Sequence, residues 1–123
     1  MVTARLLVRI DFDEGTILSP GKVRLFELVD ACGSIKEAAA TINMSYAHAR
    51  QIIERMEGLF GAPLVVTKTG GSKGARSTLT ELGREVVGRY RATERTSARA
   101  AETLLNELVS LTVGRQSREV GSP

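Results

Sequence analysis

Residues 33–57 read GSIKEAAATINMSYAHARQIIERME, and the break in the middle of this stretch decides the fold. Ser34-Ile35-Lys36-Glu37 has the form of a capping box, in which a serine accepts from the amide three residues on and the glutamate reaches back. Ala38, Ala39 and Ala40 follow. Alanine is the strongest helix former and has almost no bulk, so a second helix can lie close against this run. The helix then closes at Ile42. Asn43 tolerates the left-handed backbone that a sharp reversal needs, and Met44 is pliable enough to plug the corner. Ser45 caps a new helix in which Ala49, Ile52, Ile53, Met56 and Phe60 fall at i, i+3, i+4, i+7 and i+11, one apolar stripe. Two helices joined by a tight turn, the first built mainly of alanine, predict a helix-turn-helix.

The second helix of such a pair is the one shaped to enter a DNA major groove. With the stripe inward, Ala47, Arg50, Gln51 and Glu54 point outward, and Tyr46 and His48 flank them. Arg and Gln make bidentate contacts to guanine and adenine edges, whereas Ser45, Tyr46 and the free amides of the first turn suit phosphates. Every amphipathic helix has a polar outer face, so this face alone leaves DNA contact and plain solvation both open.

On the N-terminal side, Leu6, Val8, Ile10 and Phe12 alternate with Leu7, Arg9, Asp11 and Asp13, the period of a half-buried strand. Asp13-Glu14-Gly15-Thr16 predicts a turn, and Ile17-Leu18 a short returning strand. Ser19 then Pro20 has the form of an N-cap with proline at the first helical position. Val23, Phe26, Leu28, Val29 and Cys32 give that helix an apolar face, and Gly33 ends it.

On the C-terminal side, APLVVTKTGGSKGARSTLT (62–80) predicts a strand at Leu64–Thr67, a glycine-rich turn and a returning segment at Ser77–Leu79. Lys68, Lys73 and Arg76 lie there with no acid between Ala62 and Thr80, so the hairpin carries +3, the net charge of the whole chain. A basic hairpin directly after a recognition helix is the wing of a winged helix, placed to touch the sugar-phosphate backbone or the minor groove. Its glycines match neither G-x-x-x-x-G-K-[ST] nor G-x-G-x-x-G, which argues against a nucleotide-binding loop.

From Thr80 onward, Leu82, Val86, Val87, Tyr90, Ala98, Ala101, Leu104, Leu105, Leu108 and Leu111 recur mostly three or four apart. The run exceeds the about 8–20 residues of an ordinary globular helix. Such a stripe is covered either by a second copy of the chain or by folding back on its own domain. The first reading makes Val86, Val87, Tyr90, Ala101, Leu104, Leu105 and Leu108 a homodimer interface. The fold class expected is mainly α with a small β component. Residues 1–113 form a winged helix-turn-helix whose dimerisation helix spans about 80–113, and residues 114–123, without periodicity, form a flexible tail.

Composition narrows the function classes. The chain has 123 residues, 42% hydrophobic, which suits one domain with a real core. Seventeen Lys and Arg against fourteen Asp and Glu permit an anionic partner without requiring one. No apolar run approaches the ~18 residues of a membrane span. Arg5, Arg9, Asp11 and Asp13 interrupt the N-terminal apolar run, which no signal peptide tolerates. A single cysteine makes no internal disulfide, and the setting expected is the cytoplasm. With one His, one Cys and no carboxylate pair enclosed by apolar sequence, neither an enzyme nor a cofactor is expected. Cys32 reads as packed core rather than the basic, exposed thiol a redox sensor needs. His48 has no Cys or second His nearby to complete a metal site. The competing reading is a winged helix used for protein–protein contact; the basic wing opposes it, while Glu54 and Glu57 keep it open.

These residues carry a resemblance. The stretch Leu18–Gly83 is similar to the N-terminal DNA-binding domain of the molybdate-responsive ModE family of transcription regulators. It shares G-S-I-x-x-A-A at Gly33–Ala39, M-S-Y-x-x-A at Met44–Ala49, T-G-G-x-x-G-x-R at Thr69–Arg76 and L-T-x-x-G at Leu79–Gly83. LysR-type regulators share a looser form of the helix-turn-helix. The resemblance implies a winged-helix homodimer on double-stranded DNA with a palindromic operator. Ser45, Tyr46, Ala47, His48, Arg50 and Gln51 then lie on the reading face with Ser34 beside them, and Lys68, Lys73 and Arg76 on the wing. Where the family commonly has an aromatic residue after the M-S-Y-x-x-A alanine, this chain has Arg50, so a different base preference is expected. The family's C-terminal oxyanion-binding domains have no counterpart in these residues. Molybdate regulation is therefore not expected to carry over, and no small-molecule effector is assigned.

Overall fold

A computed structural model of the chain describes residues 1–13, 15–71 and 74–113. In chain order these form β1 (Ile10–Asp11), β2 (Ile17–Leu18), α1 (Pro20–Cys32), α2 (Ile35–Thr41), α3 (Tyr46–Phe60), β3 (Val65–Lys68), β4 (Arg76–Leu79) and α4 (Glu81–Ser110). β1 pairs antiparallel with β2 and β3 with β4, as two separate hairpins. The mainly α winged helix-turn-helix expected from the sequence is what forms. Two compact units are present, one of Arg9–Tyr90 and one of Met1–Val8 with the chain from Arg91.

Within the first unit, α1 is the central element, packed by α2, α3 and β4. Pro20 opens it behind an extended Ser19, whose carbonyl accepts from Val23 N–H at 3.0 Å; the Ser19 hydroxyl makes no cap bond. Gly33 closes it at φ 72°, donating to the Val29 carbonyl at 2.9 Å. Val23, Phe26, Leu28 and Val29 are buried as their spacing requires, and so is Leu25, which the single-stripe reading left out. A helix packed on several sides buries more than one face. Cys32 is only half-buried, at the edge of the core rather than inside it.

The α2–α3 turn answers why the alanine run stops. Asn43 is the only non-glycine residue with positive φ (57°) among the described residues. Its N–H donates to the Ala40 carbonyl at 3.1 Å, and Met44 N–H to the Ala39 carbonyl at 2.9 Å. This is the Schellman arrangement, which satisfies the last carbonyls of α2 while reversing the chain. Ser34 and Ser45 cap α2 and α3, their hydroxyls accepting from Glu37 N–H and His48 N–H at 3.1 Å each. Ala38 and Ala39 are buried against neighbouring helices, as are Ala49, Ile52, Ile53 and Met56 of α3.

β1 is shorter than the alternation from Leu6 to Asp13 predicts. Its partner offers only Ile17 and Leu18, so only Ile10 and Asp11 find a ladder. Phe12, just beyond, packs edge-on against Phe60 of α3 with ring centroids 6.0 Å apart. At the other end, Gly83 lets α4 approach β3, since a Cβ there would overlap the Leu64 carbonyl. Tyr90 closes the unit and is almost fully buried.

In the second unit the C-terminal part of α4 continues without a break to Ser110. Ala101, Leu105 and Val109 are half-covered, while Leu104, Leu108 and Leu111 are each about 60% exposed. Met1, Val2, Leu6, Leu7 and Val113 are exposed as well. Tyr46 apart, every exposed large hydrophobic side chain among the described residues belongs to this unit. Residues 114–123 lie outside the described residues. No helix among the described residues is long and apolar enough to cross a membrane.

Candidate nucleic-acid interface

With its stripe packed inward, α3 presents three edges to solvent. At about 100° per residue, Ala47, Gln51 and Glu54 form the front, Tyr46 and Arg50 one flank, and His48 and Arg55 the other. Ser45, Tyr46, Ala47, His48 and Gln51 are exposed and Arg50 is half-exposed. Tyr46 stands out, an aromatic ring 53% exposed in the first turn of a well-packed helix.

The wing lies beside the Tyr46–Arg50 flank. A shallow groove of about 230 Å³ there is lined by Ser34 and Lys36 of α2, Tyr46 and Arg50 of α3, and Thr67, Ala75 and Ser77 of the wing. The structure thus gathers Ser34, Tyr46 and Arg50 at one place. It adds Lys36, whose position in the first turn of α2 was the signal available for finding it. Lys68 and Arg76 are directly paired across the wing ladder, both exposed. Lys73 falls outside the described residues.

Three polar ties set the wing's position. Ser77 N–H donates to the Gly33 carbonyl at 2.9 Å, and Leu79 N–H to Asp30 Oδ1 at 2.9 Å. Arg76 lies over Gly33, where a Cβ would collide with its guanidinium. At the start of β3, Glu57 Oε2 accepts from the amides of Leu64 at 2.9 Å and Val65 at 3.3 Å. Glu57 is therefore a structural tie rather than part of an acidic docking surface. Glu54 pairs with Arg50, Oε1 to Nη2 at 3.3 Å, an exposed i,i+4 contact worth at most a few tenths of a kcal/mol and easily exchanged for another partner. The α3–wing surface is left with Lys36, Arg50, Lys68 and Arg76 as its charges of functional interest.

A helix-turn-helix with its second helix exposed along the front, followed by a basic β-hairpin, defines a winged-helix domain of the DNA-binding transcription regulator class. Residues 21–84, more than half of the chain, match the family described as bacterial regulatory helix-turn-helix protein, lysR family, and the chain belongs to that family. It is of the ModE/LysR winged-helix type, a regulator domain and not an enzyme. Among its relatives, the molybdenum transport protein ModE of Azotobacter vinelandii is 39% identical over 116 residues, covering 93% of this chain and 43% of that protein. The transcriptional regulator ModE of Haemophilus influenzae is 32% identical over 111 residues, covering 90% of this chain and 44% of that one. The molybdenum-pterin-binding protein MopB of Rhodobacter capsulatus is 31% identical over 80 residues, covering 65% and 30%. The chain spans less than half the length of these curated relatives.

Proposed function

We propose that the chain binds double-stranded DNA as a homodimer, with α3 in the major groove and the wing on the backbone. The observation that carries this reading is the surface of α3, exposed along its whole front and flanked by cationic and hydroxyl side chains. Arg50 and Gln51 contact base edges, and the small Ala47 lets the helix backbone come close to them. Ser34, Ser45, Tyr46 and His48 position the helix through phosphates, as do Lys68, Lys73 and Arg76 on the wing. Reading bases frees Arg50 from Glu54, a cheap exchange at an exposed pair.

Palindromic sites need two reading helices held about 34–36 Å apart, and the exposed leucines of α4 suit that task. Residues 1–113 act as one DNA-binding and dimerising module, with Leu104, Leu105, Leu108 and Ala101 packing against the second copy and Val86 and Val87 extending the seam. Tyr90 is already covered within its own chain and supports the interface from behind. Two relatives bear molybdenum in their names; what carries over to this chain is the DNA-binding role in the cytoplasm, without a cofactor. Selection of bound sequences from a random duplex library tests the reading. The expected product is a two-fold symmetric consensus. Enrichment of no sequence, with no affinity for duplex DNA, refutes it in favour of a protein-binding module.

A further inference from the structure

The far flank of α3 borders a second cleft, of about 150 Å³, that the contacts proposed above leave unused. Thr16 of the β1–β2 turn, Lys22 of α1, and His48, Gln51 and Arg55 of α3 line it. Lys22 donates from Nζ to the Ile17 carbonyl at 2.8 Å, which fixes the ammonium and leaves two of its three donors for another partner. Arg55 makes no hydrogen bond or ion pair among the described residues, and none of the residues lining the cleft is a carboxylate. Arg9, close enough to act on Lys22, is already paired with Asp11 at 2.6 Å. Burial, then the charges of Arg55 and Arg9, hold the Lys22 pKa below its ordinary value. The local field is therefore positive and unbalanced.

The bland explanation is a solvated basic surface, and position argues for more. His48 and Arg55 lie on the side of α3 opposite Tyr46 and Arg50, with the front edge between them. A helix with its side chains is about 10–12 Å across, and the major groove is about 12 Å wide. A helix seated there has a sugar-phosphate strand against each flank. The wing side serves one strand, and the Lys22 cleft faces the other.

We propose that Lys22 and Arg55, with His48 beside them, hold a backbone phosphate of the DNA strand opposite the one the wing touches. This rests on the DNA reading above and extends its footprint. The test is the salt dependence of duplex affinity, measured by fluorescence anisotropy for the wild type, Arg55→Ala and Lys22→Ala/Arg55→Ala on a duplex long enough for two half-sites. The double variant should lower the log–log slope by about 0.9 if one phosphate contact is lost, equally on all sequences, and Lys22→Arg/Arg55→Lys should restore it. Arg55→Ala alone carries the test should losing the Lys22–Ile17 bond loosen the hairpin. A wild type without salt-dependent duplex binding overturns the DNA reading itself and this proposal with it. A wild-type slope kept by both alanine variants overturns the cleft assignment alone. Inorganic phosphate titrated calorimetrically into the free protein separates the other source of the same chemistry. Binding that the double variant abolishes, with the DNA slope unchanged, overturns the proposal in favour of a free oxyanion.

Discussion

Replacing Leu104 and Leu108 together by Lys should dissociate the proposed dimer while leaving each chain folded. Both leucines are about 60% exposed in the single chain, so a seam removes that much further surface from water. Full burial of a leucine side chain is worth about 1.5–3 kcal/mol, and six-tenths of it about 1–2. Two residues from each of two copies then contribute about 4–7 kcal/mol, which the substitution forfeits before any cost of confining lysines. At 1.4 kcal/mol per factor of ten, the dissociation constant rises about 10³- to 10⁵-fold. Lysine is nearly as good a helix former as leucine, so α4 itself should persist, and far-UV circular dichroism should be unchanged. Sedimentation equilibrium reads the dimer, and anisotropy on a palindrome against a half-site reads its consequence for DNA. The variant should bind half-sites weakly and gain little from the second half. An unchanged dimer would refute the assignment and move the seam elsewhere, with the exposed Leu6 and Leu7 of the N-terminal segment the next to substitute.

Other substitutions separate the roles of named residues. Arg50→Ala or Gln51→Ala should relax preference at particular bases by roughly 1–3 kcal/mol, whereas Lys68→Ala should weaken all duplexes alike; uniform loss from the α3 changes, measured over a library, would contradict the assignment. Glu57→Ala removes the acceptor of two backbone amides at the start of β3 and should cost about 1.5–3 kcal/mol in urea unfolding. Gly33→Ala combines a φ of 72° with overlap against Arg76. It should destabilise by about 1–2 kcal/mol and, by displacing the wing's arginine, reduce affinity on every sequence; full duplex affinity would show that Arg76 needs no such seat.

The helix-turn-helix was legible because its determinants are local. Ser34, Asn43 and Ser45 act on backbone groups within a few residues of themselves, so their chemistry can be read without knowing what packs nearby. The first strand was over-read because alternation reports which faces are apolar, while pairing depends on a partner, here two residues long. Leu25 was missed for a related reason: one stripe is the signature of a helix against one neighbour, and α1 has several. Asp30 and Glu57 were out of reach altogether. Each binds backbone amides in a different element, Asp30 across 49 residues, and a carboxylate in a helix carries no mark of a distant partner. The Lys22–Arg55 cleft was hidden in the same way, its two cations 33 positions apart in sequence and joined only when α1 and α3 pack.

Those long-range ties also show why the two parts of the candidate interface form together. The C-terminal turn of α1 serves both. Gly33 ends α1 so that Ser34 can begin α2, and the Gly33 carbonyl at the same time receives Ser77 of the wing. Asp30, one turn earlier, receives Leu79. The far end of α3 holds the other wing strand through Glu57. The wing is thus bolted to the helix pair at β4 and at the start of β3, leaving only its glycine-rich tip unattached by these bonds. A hairpin held this way brings Lys68 and Arg76 to a defined place beside α3, while the tip retains the backbone freedom of Gly70, Gly71 and Gly74, all at positive φ. Positioning by phosphate contact needs the first property, and adapting to a groove whose width varies with sequence is served by the second. The same economy explains why so few acids are available on this side of the domain: Asp30 and Glu57 are committed to amides and Glu54 to Arg50, so the carboxylates that neutral composition requires add little negative charge where a polyanion would lie.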